Sequence, residues 1–527
     1  MPAISRQLAS ALAVLKEFQD TAPHPSVVPS GVLTAAQREV LIRAGYLSEI
    51  MKGWWLAKRP DRYSGESAAW YANFWPFVSR YLEKRFSKNY CLSAEHSLRL
   101  LTADQTVPPQ VVVMVNRSTT YTVPLKQNTS ILIYGDAKSF PTDRIQVEGV
   151  WVMALPEALT RVSETFVQRN PPTIATALRA VDRTALTRRL LDGGHSTIAG
   201  WVAGGWKTLG LKDNAAELLR LMNLGGYKVT ERNPFGDDFQ MPTPWVPKRA
   251  AHALRIEALW TSMRGAVIET FGKPPDKASE KSRFLAATRD MFTHDAYNSL
   301  SIEGFRVTAE LVEKVRMGNW DPRNVPEDMR TRDALAARGY RHAFDAVMRS
   351  IAEILDGADP ADTVRRDHQL WYAEMFRPSV EMNLVKLSDL AGYRNSAVII
   401  TDARHVPPHH DYVPECMETL FNLIKVEKEP AARAVLGHVF YEYIHPTMDG
   451  NGRTGRFLMN ALFAAGGYPW VIVPFEQRRR YLDAMGAASE QGDAQPLSIL
   501  LREQVELAPK YREQPPANVQ RRYSRKP

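Results

Sequence analysis

The strongest constraint on the fold of this chain is the run His-Pro-Thr-Met-Asp-Gly-Asn-Gly-Arg-Thr-Gly-Arg at positions 445–456. Apolar residues recur at spacings of three and four before this run, from 435 to 444, and after it, from 457 to 462. That spacing is typical of helices with one buried face. The first helix should end at His445, because the residue before a proline is disfavoured in the α region. The sequence therefore predicts a helix, a tight polar turn and a second helix.

The polar turn contains the groups that bind phosphate. Gly450, Asn451 and Gly452 lie at the predicted start of the second helix, where unpaired amides and the helix dipole favour an anion. Arg453 and Arg456 are three residues apart and share a helix face, so both can contact a polyphosphate chain.

Two further side chains of the turn can supply acid–base and metal chemistry. Asp449 offers a hard oxygen ligand that suits Mg²⁺. His445 is placed to take a proton from an incoming nucleophile. The chain lacks the sequence GxxxxGK[ST], which excludes phosphate binding by a P-loop. The alternative is a glycine-rich, charged loop without chemistry.

These residues resemble the Fic motif, HPFx[DE]GNGRxxR, of which eight of the nine specified positions are present. The resemblance implies a mainly α Fic fold, a helical bundle with a β-hairpin flap. It also implies transfer of AMP from ATP to Ser, Thr or Tyr hydroxyls of proteins. The roles that it implies are general base for His445, Mg²⁺ ligand for Asp449, α-phosphate binding for Asn451 with the amides of Gly450 and Gly452, and β- and γ-phosphate binding for Arg453 and Arg456.

Two positions of the motif refine this expectation. Glycine at position 452 favours AMP transfer, because a relative that transfers the γ-phosphate has lysine there. Thr447 stands where the family has a phenylalanine that anchors the loop in the core. The smaller threonine is expected either to loosen the loop or to be packed by neighbours such as Phe440.

The upstream segment 298–304, Asn-Ser-Leu-Ser-Ile-Glu-Gly, is similar to the Fic inhibitory motif, [ST]xxxE[GN]. Ser299 and Glu303 are four residues apart and thus on one helix face. The resemblance implies that Glu303 pairs with Arg456 and holds ATP in an unproductive pose. The alternative is an ordinary helix end with a solvated glutamate.

Two other segments resemble parts of the Fic fold. Residues 392–408 are similar to the flap, with a strand expected at 398–400 that docks the target by β-addition. Metal ligation by the histidines at 405, 409 and 410 is disfavoured by the adjacent prolines. Tyr481 lies in a segment similar to the adenine-pocket helix, where it either stacks on the base or packs in a helix interface.

The length of 527 residues and changes in composition predict several domains. These are a winged-helix-like domain at 1–100, an α+β domain at 101–233, a proline-rich linker at 234–248, a Fic domain with the inhibitory helix at 249–505 and a basic disordered tail at 506–527.

The first of these domains is predicted from two helical patterns and a β-hairpin at 45–59 with Gly53 in its turn. The region through Leu100 is similar to the AbiEi-type antitoxin domains, which bind DNA. Either the hairpin contacts DNA or its tryptophans pack on its own helices. The hairpin region carries a basic and aromatic cluster: Lys52, Trp54, Trp55, Lys58, Arg59 and Arg62.

Composition limits the partners and the location. The net charge of +9 favours phosphate-bearing partners, either nucleotides or nucleic acid. The two cysteines, Cys91 and Cys416, have no metal-ligand or redox spacing, which fits a cytoplasmic protein. No apolar run reaches the roughly 18 residues of a membrane span, so no membrane partner is expected.

Three functions remain open from the sequence. The first is an AMP-transferase inhibited by Glu303, with Mg²⁺ and ATP bound at the turn and a hydroxyl-bearing protein as substrate. The second is a DNA-binding regulator whose Fic domain senses nucleotide with little turnover. In the third, Glu303 orients a water that removes AMP from a modified protein.

Overall fold

The computed structural model describes residues 6–58, 66–236, 239, 250–275, 280–317, 328–400 and 403–512. The chain forms two compact units. The first comprises Met1–Asp237, Pro247–Ala251 and Ile399–Pro407, and the second comprises Asp238–Val246, His252–Val398 and Pro408–Pro527.

The first unit is a mixture of helices and short strands. Its helices are α1 (Arg6–Thr21), α2 (Ala35–Arg43), α3 (Glu66–Ala72), α4 (Phe74–Phe86), α5 (Ala94–Leu101), α6 (Leu155–Leu159), α7 (Glu164–Arg169), α8 (Pro171–Ala180), α9 (Arg183–Asp192), α10 (Ser196–Thr208) and α11 (Lys212–Leu224). Its strands are β1 (Val27–Pro29), β2 (Leu47–Met51), β3 (Trp54–Ala57), β4 (Tyr90–Leu92), β5 (Gln110–Val115), β6 (Thr120–Pro124), β7 (Ser130–Gly135), β8 (Arg144–Val147) and β9 (Val150–Met153).

The first sheet has the strand order β1-β3-β2 with antiparallel pairing throughout. Strands β2 and β3 form the hairpin that the sequence predicts, with Ser48 opposite Leu56. Gly53 in the turn has φ +88, a value that glycine adopts without a steric penalty.

A second sheet joins the two sides of residue 100. Its order is β4-β5-β7-β6, with β5 and β7 parallel and the other pairs antiparallel. Strand β4 lies before residue 100 and strand β5 after it, and one buried cluster extends from Val27 to Val152. The division predicted at residue 100 is therefore absent, because both regions share one core. Strands β8 and β9 pair separately.

The second unit is helical in the part that the structure describes. Its helices are α12 (Ala251–Phe271), α13 (Lys281–Asp290), α14 (Phe292–Ile302), α15 (Ala309–Arg316), α16 (Asp328–Leu355), α17 (Pro360–Glu381), α18 (Val413–Val426), α19 (Pro430–Ile444), α20 (Asn451–Ala465), α21 (Arg478–Gly486) and α22 (Gln495–Leu507). Helices α19 and α20 are buried along most of their length and contribute to one large apolar core. The predicted helix, turn and helix are confirmed, with the turn at 445–450.

The flap segment differs from the expectation. None of its described residues between 392 and 408 is in a strand, and Thr401 and Asp402 lie outside the described residues. Ile399–Pro407 belongs to the first unit, where the Val107 amide donates to the Arg404 carbonyl at 3.0 Å and Val406 packs on the apolar cluster. The predicted hairpin is wrong because these backbone and apolar groups find partners in the first unit.

Two predicted segments fall largely outside the described residues. They are positions 240–248 of the proline-rich linker and positions 513–527 of the basic tail. Among the helices that the structure describes, none combines the length and the apolar character that crossing a bilayer requires.

Candidate functional site

The turn begins at His445, which ends α19 in the left-handed conformation, with φ 52 and ψ 61. Such a conformation costs a residue other than glycine about 1–3 kcal/mol, so its surroundings must hold it in place. Arg394 does so. Its main-chain amide donates to Pro446 O at 2.8 Å, and its guanidinium donates to His445 O at 2.8 Å.

Arg394 was not singled out from the sequence, although it holds the turn from several sides. Its guanidinium also donates to the carbonyls of Ser396, at 3.0 Å, and of Pro408. Burial lowers the pKa of this side chain to about 10, which leaves it charged at neutral pH. Its position within the Gly392–Pro408 segment was the only signal in the sequence.

The tautomer of His445 follows from its contacts. Nδ1 lies 3.2 Å from the carbonyl of Glu442. A carbonyl can only accept, so Nδ1 carries the hydrogen and Nε2 keeps its lone pair. Burial, with the nearby Arg394 charge, lowers the pKa of His445 to about 4. The ring is therefore neutral at pH 7 and able to accept a proton.

Thr447 does not loosen the loop. Its hydroxyl lies 2.8 Å from both Asp449 O and Asn451 Oδ1, and its amide donates to Asn451 Oδ1 at 2.9 Å. Asn451 Nδ2 donates back to Thr447 O at 2.8 Å. Hydrogen bonds thus fix the loop where the family uses an aromatic side chain. They also engage the oxygen and one hydrogen of the Asn451 side-chain amide.

Asp449 lies at the start of α20. One carboxylate oxygen, Oδ1, accepts from Gly450 N at 2.5 Å and from Arg453 at 3.2 Å. Gly450 has φ 78 and precedes the first turn of the helix without a side-chain cap. The Asp449 side chain is 64% exposed, so a cation could reach it from solvent.

Arg453 is buried with its guanidinium centred 5.1 Å from the ring of Phe305 and 5.4 Å from the ring of Phe376. Contacts of this kind with two rings restrict the rotation of the side chain. Its Nε has no hydrogen-bond partner among the described residues. This arginine is therefore held in one position with donor capacity left over.

Arg456 is buried and carries the predicted contacts. Its Nε donates to Ser299 Oγ at 3.0 Å, and its NH2 donates to Ser299 O at 3.2 Å and to Glu303 Oε1 at 2.7 Å. Burial alone would lower the pKa of Arg456, but the Glu303 carboxylate raises it above its usual value. The structure thus brings together the three residues that the resemblance to the inhibitory motif links.

Gly452 explains how the carboxylate fits. A Cβ atom at position 452 would lie 2.3 Å from Glu303 Oε1. The Glu303 carboxylate therefore fills the space that the missing side chain leaves in the first turn of α20. Helix N-termini bind anions through their free amides and their dipole, so this space fits a phosphate oxygen as well.

Glu303 follows a helix that is firmly anchored. Asn298 Oδ1 of α14 accepts from Phe475 N at 2.8 Å. Arg478 donates to Ile302 O, also at 2.8 Å. Release of the carboxylate is therefore expected from rotation of the Glu303 side chain, because the helix itself is tied at two points.

Tyr481 is not available to a nucleotide base. Its residue exposure is 2%, its ring stacks on His438 with an interplanar angle of 12°, and its hydroxyl lies 2.7 Å from His438 Nε2. The prediction that it stacks on adenine is not met in this structure, since the side chain is almost fully buried and its ring is stacked on His438. The alternative, packing in a helix interface, is what the structure has.

Two places in the second unit present side chains that could bind a metal ion. Asp449 presents an exposed carboxylate at a predicted phosphate site, which suits Mg²⁺. Elsewhere in the second unit, His409, His410 and Asp411 have ligand atoms within 4.8 Å of one another, whereas His405 belongs to the first unit.

The two tryptophans of the predicted DNA-contacting cluster in the first unit are buried. Trp54 is buried edge-on against Phe77 at 5.6 Å. Trp55 is also buried, with the Arg38 guanidinium 4.7 Å from its ring. Lys52 is exposed and Lys58 is half-buried, and Arg59 and Arg62 lie outside the described residues. The tryptophans therefore pack on their own unit, which was the alternative.

Comparison with known families gives the same location for the site. The model of the Fic/DOC family matches residues 361–463, a range that includes the turn at 445–450 and most of α20. Residues 361–463 therefore resemble the Fic/DOC family, and this range is named the Fic/DOC domain. The match does not include residues 1–237 of the first unit, and the similarity of the region through Leu100 to AbiEi-type domains stays a prediction.

The Fic/DOC domain has curated relatives. It is 37% identical over 101 residues to a probable protein adenylyltransferase of Aquifex aeolicus, covering 19% of this chain and 31% of the relative. It is 39% identical over 112 residues to a protein adenylyltransferase Fic of Nematostella vectensis, covering 20% of this chain and 25% of the relative. The match thus spans about a quarter to a third of these relatives.

Solved structures of Fic proteins are also similar. A Fic family protein from Desulfovibrio desulfuricans is 22% identical with a TM-score of 0.36, covering 54% of this chain and 80% of that structure. Fic-1 from C. elegans is 16% identical with a TM-score of 0.36, covering 65% of this chain and 97% of that structure.

Proposed function

We propose that the Fic/DOC domain transfers AMP from ATP to a Ser, Thr or Tyr hydroxyl of a target protein, and that Glu303 inhibits this reaction. One observation carries the proposal. A neutral His445 with its Nε2 lone pair free stands in the turn that leads into an anion-binding helix N-terminus. The names of the curated relatives of the same domain agree with it.

His445 acts as the general base in this proposal. Nε2 takes the proton of the target hydroxyl, and the hydroxyl oxygen forms a bond to the α-phosphorus of ATP. The bond between the α-phosphorus and the α–β bridging oxygen breaks, and pyrophosphate leaves with the electron pair. The products are an AMP-modified protein and pyrophosphate, and the proton later passes from His445 to solvent.

The first turn of α20 binds the triphosphate. The backbone amides of Asn451 and Gly452 contact the α-phosphate, since the side chain of Asn451 is engaged by Thr447. Arg453 and Arg456 contact the β- and γ-phosphates. Asp449 would hold Mg²⁺ through its exposed carboxylate, and the ion would supply positive charge that offsets the phosphate charge.

Glu303 inhibits by taking the place of the γ-phosphate. Its carboxylate engages Arg456 at 2.7 Å and fills the space beside Gly452. ATP must then bind with its last phosphate elsewhere, and the α-phosphorus is not aligned with the attacking hydroxyl. Displacement of the carboxylate restores the alignment, because Arg456 becomes available.

The experiment is incubation of the Glu303→Gly protein with labelled ATP, Mg²⁺ and a cell lysate. We expect strong labelling of this protein or of lysate proteins. We expect weak labelling with the parent and none with the double variant that adds His445→Ala. Glu310→Ala, which changes an exposed acid of α15, serves as the control and should label like the parent.

The same experiment separates the other functions. Absence of label with the Glu303→Gly protein would refute AMP transfer. Release of free AMP from a modified protein by the parent, lost in Glu303→Gly, would favour the reverse reaction. Nothing in the described part of the first unit favours DNA, because the two tryptophans of the predicted contact surface are buried.

A further inference from the structure

A buried carboxyl group stands beside His445 and has no part in the mechanism above. Glu442 lies one helical turn before His445 on α19, and its Oε2 is 3.7 Å from His445 Nδ1. That is the nitrogen which carries the hydrogen, and the Glu442 carbonyl already accepts from it at 3.2 Å. The carbonyl oxygen and Oε2 of Glu442 thus both face the Nδ1 side of the ring, away from the Nε2 lone pair.

The second carboxyl oxygen of Glu442, Oε1, lies beside Gly455, as does Nδ1 of His438. Glu442 Oε1 and His438 Nδ1 are both buried without a hydrogen-bond partner among the described residues. A Cβ atom at Gly455 would lie 2.8 Å from the first atom and 2.9 Å from the second. Glycine at 455 therefore provides the room in which this carboxyl group sits. An unpaired buried polar atom costs about 1–3 kcal/mol, so its retention here points to a role.

We infer that Glu442 is a positioning residue for His445 in the proposed transfer reaction. Its carboxylate holds the ring with Nε2 toward the substrate and stabilises the imidazolium that forms when Nε2 takes the hydroxyl proton. No bond forms or breaks at Glu442, and the transferred proton stays on Nε2 until it leaves to solvent. The arrangement is that of a buried carboxylate behind a general-base histidine.

The charge of this carboxyl group is coupled to Glu303. Burial first, and then the negative charge of Glu303, raise the pKa of Glu442 to about 8, while Arg456 acts in the opposite direction. With Glu303 seated, Glu442 is therefore mostly protonated at pH 7 and gives His445 little help. When Glu303 leaves, burial still raises the pKa of Glu442, but the second cause is removed. The pKa therefore falls and a larger share of the group is ionised beside His445.

The other groups that face this carboxyl do not reverse the argument. His438, on the same helix, has its pKa lowered to about 3 by burial and by Arg456, so it is neutral throughout. Tyr481 contacts His438 through its hydroxyl, and burial raises the pKa of that tyrosine. Glu303 and Arg456 remain as the groups whose charge shifts the pKa of Glu442.

The inference rests on the proposed function, and its kinetic test uses Glu442→Gln in the active Glu303→Gly background. We expect kcat to fall about 10- to 100-fold, at or below the lower end of the typical contribution of proton transfer, because Glu442 acts through His445 and does not itself transfer the proton. KM for ATP should stay within about twofold. The rise of kcat/KM with pH that follows Glu442 ionisation, below pH 8 in this background, should disappear. Glu418→Gln, an acid that is 60% exposed on α18, should change none of these values.

A second measurement does not depend on turnover. The NMR signals of the histidine rings in the full-length parent are followed between about pH 5 and about pH 9.5, a range that contains the ordinary histidine pKa. The His445 signal is assigned by its loss in His445→Asn. We expect a step near pH 8 in the His445 signal of the parent, at lower pH in Glu303→Gly, and no step once Glu442→Gln is added.

The results separate two failures. No labelling by Glu303→Gly would refute AMP transfer, and the NMR step would still test the link between Glu442 and His445. A His445 signal that titrates identically with and without Glu442→Gln would overturn the inference. So would an active Glu442→Gln enzyme with an unchanged pH profile.

Gly455→Ala gives an independent variant, because its methyl group would displace the Glu442 carboxyl group while alanine favours the helix. It should reproduce the loss of kcat.

Discussion

Removal of the Glu303 carboxylate has a consequence for stability that can be worked from the contacts of Arg456. Glu303→Ala deletes the acceptor at 2.7 Å from a guanidinium whose side chain is 6% exposed. Ser299 keeps its two bonds to that guanidinium. The variant therefore carries a buried positive charge that is hydrogen-bonded but has lost its counter-charge.

The expected loss lies between two limits. A hydrogen bond to a charged group contributes about 1.5–3 kcal/mol, and deletion of one member of a fully buried pair costs about 3–5 kcal/mol. The Glu303 side chain is 28% exposed, so water already screens part of the interaction. Since Ser299 remains bonded as well, we expect a loss near the lower limit, about 2 kcal/mol.

The assay is urea unfolding with and without Mg-ATP. Without nucleotide, Glu303→Ala should be less stable than the parent by about 2 kcal/mol, and Glu310→Ala, an exposed acid, by less than about 0.5 kcal/mol. The γ-phosphate supplies the missing negative charge to Arg456. ATP should therefore stabilise Glu303→Ala more than the parent, by up to about 2.7 kcal/mol at a concentration one hundred times Kd.

Two results would refute this reasoning. Equal stability of Glu303→Ala and the parent without nucleotide would mean that solvent replaces the carboxylate at no cost. Equal stabilisation of both proteins by ATP would mean that the γ-phosphate does not contact Arg456. In the second case inhibition by competition for this arginine would have to be abandoned.

Four further outcomes are expected. Arg394→Lys should lower kcat of the active enzyme about 10- to 100-fold with ATP affinity retained, because it removes the planar guanidinium that donates to the carbonyls of His445, Ser396 and Pro408. Equal loss of affinity would contradict this. Thr447→Val should lower the free energy of unfolding by about 1–3 kcal/mol, while Thr447→Ser should not. Tyr481→Phe should destabilise by a similar amount, because His438 Nε2 loses its hydrogen-bond partner. An unchanged free energy of unfolding would contradict this. Urea titrations should show that the free energy of unfolding falls as the pH is lowered from about 6.5 to about 4, by about 1.4 kcal/mol per pH unit for each buried neutral histidine such as His438 and His445. The reason is that their pKa values are lowered in the folded protein, so the unfolded chain binds protons first. A free energy of unfolding that does not change over this pH range would contradict their burial.

Much of the site could be predicted from the sequence because its rules are local. Pro446 ends one helix, glycines allow the turn, and two arginines three apart share a face of the next helix. The pairing of Glu303 with Arg456 was also predicted, but through the resemblance to a known motif. Spacing alone gave only a glutamate and a serine on one face of a helix.

The remaining features depend on partners far away in the chain. Ser299 and Arg456 are 157 residues apart, and no local pattern states that the two meet. The sequence left two alternatives for the tryptophans of β3, DNA contact or packing, and two for Tyr481, base stacking or packing. Only burial in the folded structure decided between them. The flap sequence has strand character, yet its Arg404 carbonyl accepts a hydrogen bond from the Val107 amide within the first unit.

The sequence by itself determined where the chain turns and which chemical groups stand at the turn, because helix ends and glycine turns obey rules that span a few residues. The tertiary structure decided which of those groups remain available. Hydrogen bonding to Thr447 engages the Asn451 side chain, and burial makes His445 neutral and places Glu442 behind it. Burial and hydrogen-bond partners are properties of the packed molecule, since they depend on residues that approach only when the chain has folded.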